Sequence, residues 1–174
     1  FSKRGEVPHA LSGVALILKL SENYLKTHEE DLPFHLTRDS LTYAIAAHHG
    51  VFDAVTPGGK GELHNKMKKA QQDETRQYEE ALQNYQEEFD INYLNDLFAK
   101  SVEEAEQYIK ALMNKESLKS TCHFYFGFYV RMVLSSLIDG DWSDAGDFAT
   151  DKKRPYATKP DWKTLSANLE AALK

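Results

Sequence analysis

The sequence is poor in cysteine and has no long apolar run. Its single cysteine, Cys122, excludes an internal disulfide and suits the reducing cytosol. No apolar run approaches the roughly 20 residues that a membrane-spanning helix needs, and no signal peptide is visible. We therefore expect a cytoplasmic protein without a membrane partner.

Basic residues are also fewer than acidic ones. The 174 residues carry 21 Lys and Arg against 27 Asp and Glu, a formal net charge of −6. This balance argues against a broadly basic nucleic-acid surface and leaves room for a local basic groove. The hydrophobic content of 41% is ordinary for a globular protein, and the length suffices for one domain with a core. We expect residues 1–174 to form a single domain.

No segment alternates between apolar and polar residues as a half-buried strand would, so the predicted fold class is all-α. A first helix is predicted to open at Pro8 and His9, because proline is well tolerated in a first helical turn. Within 62–90 one narrow apolar stripe, which includes Tyr85, is expected to pack across the surface of the body. The other predicted helical segments are 41–49, 92–115, 121–144 and a short one from 161.

The segment 121–144 is apolar nearly all round, which is typical of a central, buried helix. Asp139 and Asp141 flank Gly140 at its predicted end. Carboxylates at the end of a buried helix are costly unless they are paired or bound to a metal, and the helix dipole adds to that cost. A metal ion would offset the cost. Pairing with Arg131, or a solvated turn, are the alternatives.

Two adjacent histidines, His48 and His49, close the predicted helix 41–49, and Gly50 is expected to end it in the left-handed conformation. His48 continues an apolar face that includes Ile45, so its ring nitrogens need a partner. Neutral imidazole suits Zn, Fe, Mn, Co and Ni. The alternative is a pair that only stabilises the helix end through the dipole.

His9 lies in the first turn of the first helix, and alone it reads better as a surface residue. Gly13, four residues on, lies on the same side, where a small residue admits another helix or a ligand.

Two basic clusters are candidates for contacting phosphate, although a solvated surface is the default interpretation. They consist of Lys60, Lys66, Lys68 and Lys69, and of Lys152, Lys153 and Arg154.

Three stretches in this order, 9–13, 44–50 and 131–144, resemble the HD nuclease domain of the CRISPR-associated helicase-nuclease of type I systems. The resemblance implies an HD-domain-like helical bundle of the HD metallohydrolase superfamily. It also implies a metal-dependent endonuclease or exonuclease that degrades single-stranded DNA in antiviral defence. The implied partners are an RNA-guided CRISPR surveillance complex of the Cascade type and a helicase domain that supplies the strand.

The resemblance also assigns roles to individual residues. It implies that His9, His48 and His49 hold one metal of a two-metal site, and that Asp141 closes the other metal position. Asp139 is the second choice for that role. His48 and Asp141 are accordingly the candidate catalytic residues, and the implied cofactors are divalent transition metal ions (Mn, Fe, Co, Ni or Zn).

One departure from the family pattern is large. No histidine in this chain is followed by aspartate, so the adjacent His-Asp motif of the family is absent. By the resemblance, that motif and a further histidine would precede Phe1, and three ligands, including the bridging carboxylate, are expected to be missing. The rival interpretations are an HD phosphohydrolase acting on nucleotides, a truncated, inactive nuclease domain, and a non-enzymatic helical interaction module.

Overall fold

The structure, a computed structural model, describes residues 9–54, 61–72, 83–115 and 121–150, with 163–164, 167–168 and 171 near the C-terminus. Within this part of the chain every regular element is helical, so the predicted all-α class is confirmed. None of the described helices is long and apolar enough to cross a membrane. The helices are α1 (His9–Tyr24), α2 (Leu32–Ala47), α3 (Glu62–Gln72), α4 (Ile91–Met113) and α5 (Cys122–Thr150), and residues 83–88 are also helical.

The chain divides into two compact units, Phe1–Ile138 and Asp139–Lys174. The first unit holds α1 to α4 and the larger part of α5, and its core consists of three apolar clusters. The third cluster joins the C-terminal half of α2 to α5 and so anchors the helix end that carries the histidine pair. The clusters contain Ile17, Leu20, Phe34, Phe98 and Val102; Val14, Ala15, Leu18 and Ala70; and Ala44, Ala47 and Leu134.

Helix α2 begins well before the predicted residue 41. Asp31 caps it, since its side chain accepts a hydrogen bond of 2.9 Å from the backbone N–H of Phe34. Pro33 lies inside the first turn, where the N–H that proline lacks would have no helical partner in any case. Pro33 therefore belongs to the start of this helix and does not break it.

The end of α2 also differs from the prediction. Ala47 is the last helical residue, and His48 is the C-cap with right-handed backbone angles of φ −64° and ψ −21°. The N–H of Gly50 donates to the carbonyl oxygen of Ala47 at 2.9 Å, and Gly50 does not adopt the left-handed conformation. The histidine pair therefore lies in a right-handed turn that follows the helix.

Helices α1 and α2 approach each other closely at Gly13. A Cβ atom placed there would lie 2.8 Å from Cγ2 of Ile45, closer than real side chains come. The expectation that Gly13 admits a neighbouring helix is confirmed, and this approach sets the spacing between α1 and the end of α2.

Helix α5 is not the central, buried helix that its composition predicted. Only Leu134 among its described residues is buried, whereas Phe124, Phe128 and Met132 are 67%, 52% and 52% exposed. An apolar perimeter does not specify how many neighbours a helix has, and here one side packs on α2. The other prediction, that the helix ends near Asp139, is also wrong, because α5 continues to Thr150.

Candidate functional site at the end of helix α2

His48 is half-buried at the C-terminal end of α2. Its position follows from packing on both sides of the helix end. Ala44 and Ala47 contact Leu134 of α5, while Ile45, three residues before His48, packs against α1. The imidazole is therefore carried by a part of the backbone that three helices hold in place.

The ring of His48 is oriented by its own helix. Nδ1 lies 2.6 Å from the carbonyl oxygen of Ile45. Because a carbonyl oxygen only accepts hydrogen bonds, Nδ1 must carry the proton and donate it. In the neutral ring the lone pair is then on Nε2. A backbone carbonyl that fixes the tautomer through the other ring nitrogen is a common feature of metal-binding histidines.

The second imidazole of the pair lies against the first. The ring centroids of His48 and His49 are 3.8 Å apart, with 42° between the ring planes, and His49 is exposed. Two imidazoles thus stand together at the helix end, one half-buried and one at the surface.

A cavity of about 260 Å³ adjoins His48. Most of its wall is apolar side chain from α1, α2 and α5, and it also includes Tyr85 from the helical residues 83–88. Its lining residues are Gly13, Leu16, Ile45, His48, Tyr85 and Leu137. The histidine pair is therefore next to an apolar recess and not only to open solvent.

The segment after the histidines is tied back to α2. The hydroxyl of Tyr43 donates to the carbonyl oxygen of Phe52 at 2.9 Å, and the two rings are 5.0 Å apart. The ammonium of Lys66 in α3 lies 4.8 Å from the centre of the Phe52 ring, a cation–π distance. Lys66 therefore carries positive charge close to the segment that follows the pair.

The remaining basic candidates are more remote from this contact or outside the described part of the chain. Lys68 and Lys69 are exposed on α3. Lys60, Lys152, Lys153 and Arg154 all lie outside the described residues. Lys66 is thus the member of the two clusters that the structure places beside the histidine-bearing turn.

The other predicted ligands are distributed over the chain. His9 is the first residue of α1, and its side chain lies outside the described part of the structure. Asp139 and Asp141 belong to the unit Asp139–Lys174, and within α5 both side chains are exposed. The desolvation cost that suggested a compensating metal at these aspartates therefore does not arise.

The described residues include two candidate metal donors but no complete metal-binding group. Among them, no three His, Cys, Asp or Glu side chains converge closely enough to hold a metal ion. His48 and His49 are two suitable donors, whereas catalytic zinc sites use three protein ligands. A complete set of metal ligands at His48 and His49 requires further side chains. His9 is the predicted third ligand from this sequence.

The sequence interpretation did not associate Tyr85 with the histidines. It placed Tyr85 on an apolar stripe packing across the body, and the half-buried side chain agrees with that. Tyr78 and Leu82 of the same stripe lie outside the described residues, and Phe89 is exposed. No local pattern connects residues so far apart in sequence, so only the tertiary structure brings Tyr85 to the cavity of His48.

Comparison with known proteins adds no relative: no family model, no curated protein and no solved structure matches this chain.

Proposed function

We propose that this chain is a metal-dependent nuclease domain of the HD type that hydrolyses single-stranded DNA. The observation that carries the proposal is the ring of His48, which the Ile45 carbonyl holds in the tautomer that can bind a metal through Nε2 and which contacts His49. The order of the three resembling stretches supports the same function.

In this proposal His9, His48 and His49 bind one divalent transition metal. Such metals activate water near neutral pH and stabilise charge on phosphate oxygens. The chain itself supplies orientation. The Ile45 carbonyl holds the imidazole of His48, and apolar side chains line the recess beside it.

The proposed substrate strand is delivered and not captured from solution. A formal net charge of −6 disfavours tight, independent binding to a polyanion. It suits a cytoplasmic domain that receives DNA opened by an RNA-guided surveillance complex and moved by a helicase. Lys66, beside the histidine-bearing turn, is the described residue best placed to contact the backbone of the strand.

The experiment is a cleavage assay on the full chain with a labelled single-stranded oligonucleotide, with Mn²⁺ and with EDTA. We expect cleavage with Mn²⁺, none with EDTA, and none in the double variant His48→Ala/His49→Ala. The matched control is His64→Ala/His123→Ala, which removes two exposed histidines from α3 and α5 and should keep full activity.

The same assay, with nucleoside monophosphates as a second substrate, distinguishes the proposed nuclease from the alternative functions. Hydrolysis of nucleoside monophosphates without cleavage of DNA would favour a phosphohydrolase. Equal activity of the two double variants would remove His48 and His49 from the site. No hydrolysis of either substrate would contradict the proposed function for this chain.

A further inference from the structure

We propose that the cavity beside His48 holds one nucleobase of the substrate strand, stacked on the ring of Tyr85. This inference rests on the proposed function, since it concerns the same site. It makes Tyr85 a positioning residue, one that acts on the strand without touching the reacting atoms.

The chemistry of the cavity wall fits a base. Leu16, Ile45 and Leu137 provide apolar contact, and the side chains with polar atoms are the imidazole of His48 and the phenol of Tyr85. A nucleobase likewise has two apolar faces and a polar edge. No carboxylate is among the described residues that line the cavity, so these residues do not repel the anionic strand to which the base belongs.

The size of the cavity restricts the ligand further. Its volume of about 260 Å³ lies below the range of roughly 300–1,000 Å³ that is typical of sites for drug-sized ligands. A single planar ring system is therefore a better match than a whole nucleotide. The sugar and the phosphate would remain outside the recess, at the edge where His48 meets the exposed His49.

The position of the cavity explains how a seated base would help the reaction. A base and its phosphate are joined through one sugar, so a base held beside His48 keeps the neighbouring phosphodiester close to the imidazole pair. Holding the reacting group near its catalytic residues lowers the entropic part of the barrier. Stacking on an aromatic ring tolerates every base, because each has a π-face. The expected cleavage is therefore largely independent of sequence.

The test uses a short single-stranded oligonucleotide with 2-aminopurine at its centre, whose fluorescence falls when the base stacks. It is titrated with the full chain in EDTA, so that no cleavage occurs. Tyr85→Phe keeps the ring, and Tyr85→Leu keeps apolar bulk without it. Tyr93→Leu is the matched control, because Tyr93 is an exposed tyrosine on α4 that does not line the cavity.

We expect the wild type, Tyr85→Phe and Tyr93→Leu to bind and quench alike. Tyr85→Leu should weaken binding about tenfold, the loss of one stacked base, and in Mn²⁺ it should raise KM more than it lowers kcat. Equal binding by Tyr85→Leu and the wild type, or no quenching in the wild type, would overturn the inference.

The two proposals fail separately in this design. Quenching that depends on the Tyr85 ring, without cleavage in Mn²⁺, would keep the base site and contradict the nuclease. Cleavage that follows His48 and His49 and ignores Tyr85 would keep the nuclease and contradict the base site. Thermal unfolding of each variant separates a loss of binding from a loss of fold.

Discussion

At the residue scale, one ring nitrogen of His48 has its hydrogen-bond partner within its own helix. The sequence showed that the ring nitrogens needed partners, and a metal or a carboxylate would have served. The structure gives one of them, Nδ1, to the carbonyl oxygen of Ile45. This bond between residues three apart depends on where α2 ends, which the sequence pattern placed two residues too late.

The bond from His48 to Ile45 can be separated from metal binding. The side-chain amide of asparagine has its nitrogen where histidine has Nδ1, so His48→Asn keeps a donor toward Ile45 and removes Nε2. We expect His48→Asn to keep its free energy of unfolding, and His48→Ala to lose about 0.5–1.5 kcal/mol. Urea unfolding measures the difference.

Both substitutions should reduce metal binding to the same extent, because both remove Nε2. Unchanged metal binding in His48→Asn would show that the imidazole has only a structural role. Equal stability of the two variants would contradict the contribution of the bond to Ile45.

Gly13 offers a second prediction, concerning the contact between α1 and α2. A methyl group on Gly13 would lie 2.8 Å from Cγ2 of Ile45, a β-branched residue whose χ1 has one strongly preferred rotamer in a helix. We expect Gly13→Ala to lower the free energy of unfolding by about 1–3 kcal/mol, the usual cost of overpacking. Chemical denaturation followed by circular dichroism measures the change.

The control is Gly127→Ala in α5, where an added Cβ meets no atom within 4 Å. Alanine is the better helix former, so this variant should gain about 0.5–1 kcal/mol. A neutral or stabilising Gly13→Ala would contradict the close approach of the two helices.

At the scale of the elements, the start of α2 shows that the capping residue determines where a helix begins. Thr37, Arg38 and Asp39 are plausible caps by residue type, yet Thr37 is buried inside the helix. The true cap, Asp31, precedes a proline in the first turn. The residue type alone does not decide the role of this proline, because a proline can end one helix or begin another.

Removing the cap of α2 should destabilise the fold. We expect Asp31→Ala to lose about 0.5–2 kcal/mol, because the N–H of Phe34 then has no side-chain acceptor. Asp39→Ala is the matched control: Asp39 pairs with Arg38 at a partly exposed site and should contribute little. Urea unfolding compares the two, and a larger loss in Asp39→Ala would contradict the assigned cap.

Helix α5 packs against α4 through a defined polar contact. The hydroxyl of Tyr108 donates to the carbonyl oxygen of Tyr125 at 2.8 Å. Burial, and then the neighbouring Tyr125 and Tyr129, raise the pKa of Tyr108 above its ordinary value of 10.0. The folded state therefore retains a proton that the unfolded chain releases near pH 10.

The raised pKa determines the sign of the pH dependence. The contribution of Tyr108 to stability is complete below pH 10 and is lost as the pH rises toward its folded pKa. We expect Tyr108→Phe to lose about 0.5–1.5 kcal/mol at pH 7 and to show a shallower decline above pH 10. Urea unfolding at pH 7 to 11 tests both, and a parallel decline in the two proteins would contradict this assignment.

At the scale of the whole molecule, the helical class and the buried faces of α1 and α4 were predictable, because the spacing of apolar residues is a local signal. Val14 and Leu18 of α1, and Phe98 and Val102 of α4, are buried as their periodicity indicates. The exposure of α5 and the approach of Tyr85 to His48 depend on contacts between distant segments. No local pattern records such contacts.

The candidate site, like the fold, was predictable only where the signal is local in the sequence. Adjacent histidines at a helix end are visible in the sequence, and the structure holds them together. The aspartates of α5 were singled out because a buried helix end would make their charges costly, and that premise is wrong for exposed side chains. His48 and His49 are therefore the part of the proposed site that the described residues support most directly.

The measurement that most directly tests metal binding by His48 and His49 is a calorimetric titration of the full chain with Mn²⁺. It is made on the wild type and on the two double-histidine variants. Titration with excess metal detects even a weak, partial site. We expect the wild type and His64→Ala/His123→Ala to bind Mn²⁺ alike, and His48→Ala/His49→Ala to lose that binding. Equal binding by all three proteins, or no binding by the wild type, would contradict a metal site at the end of α2.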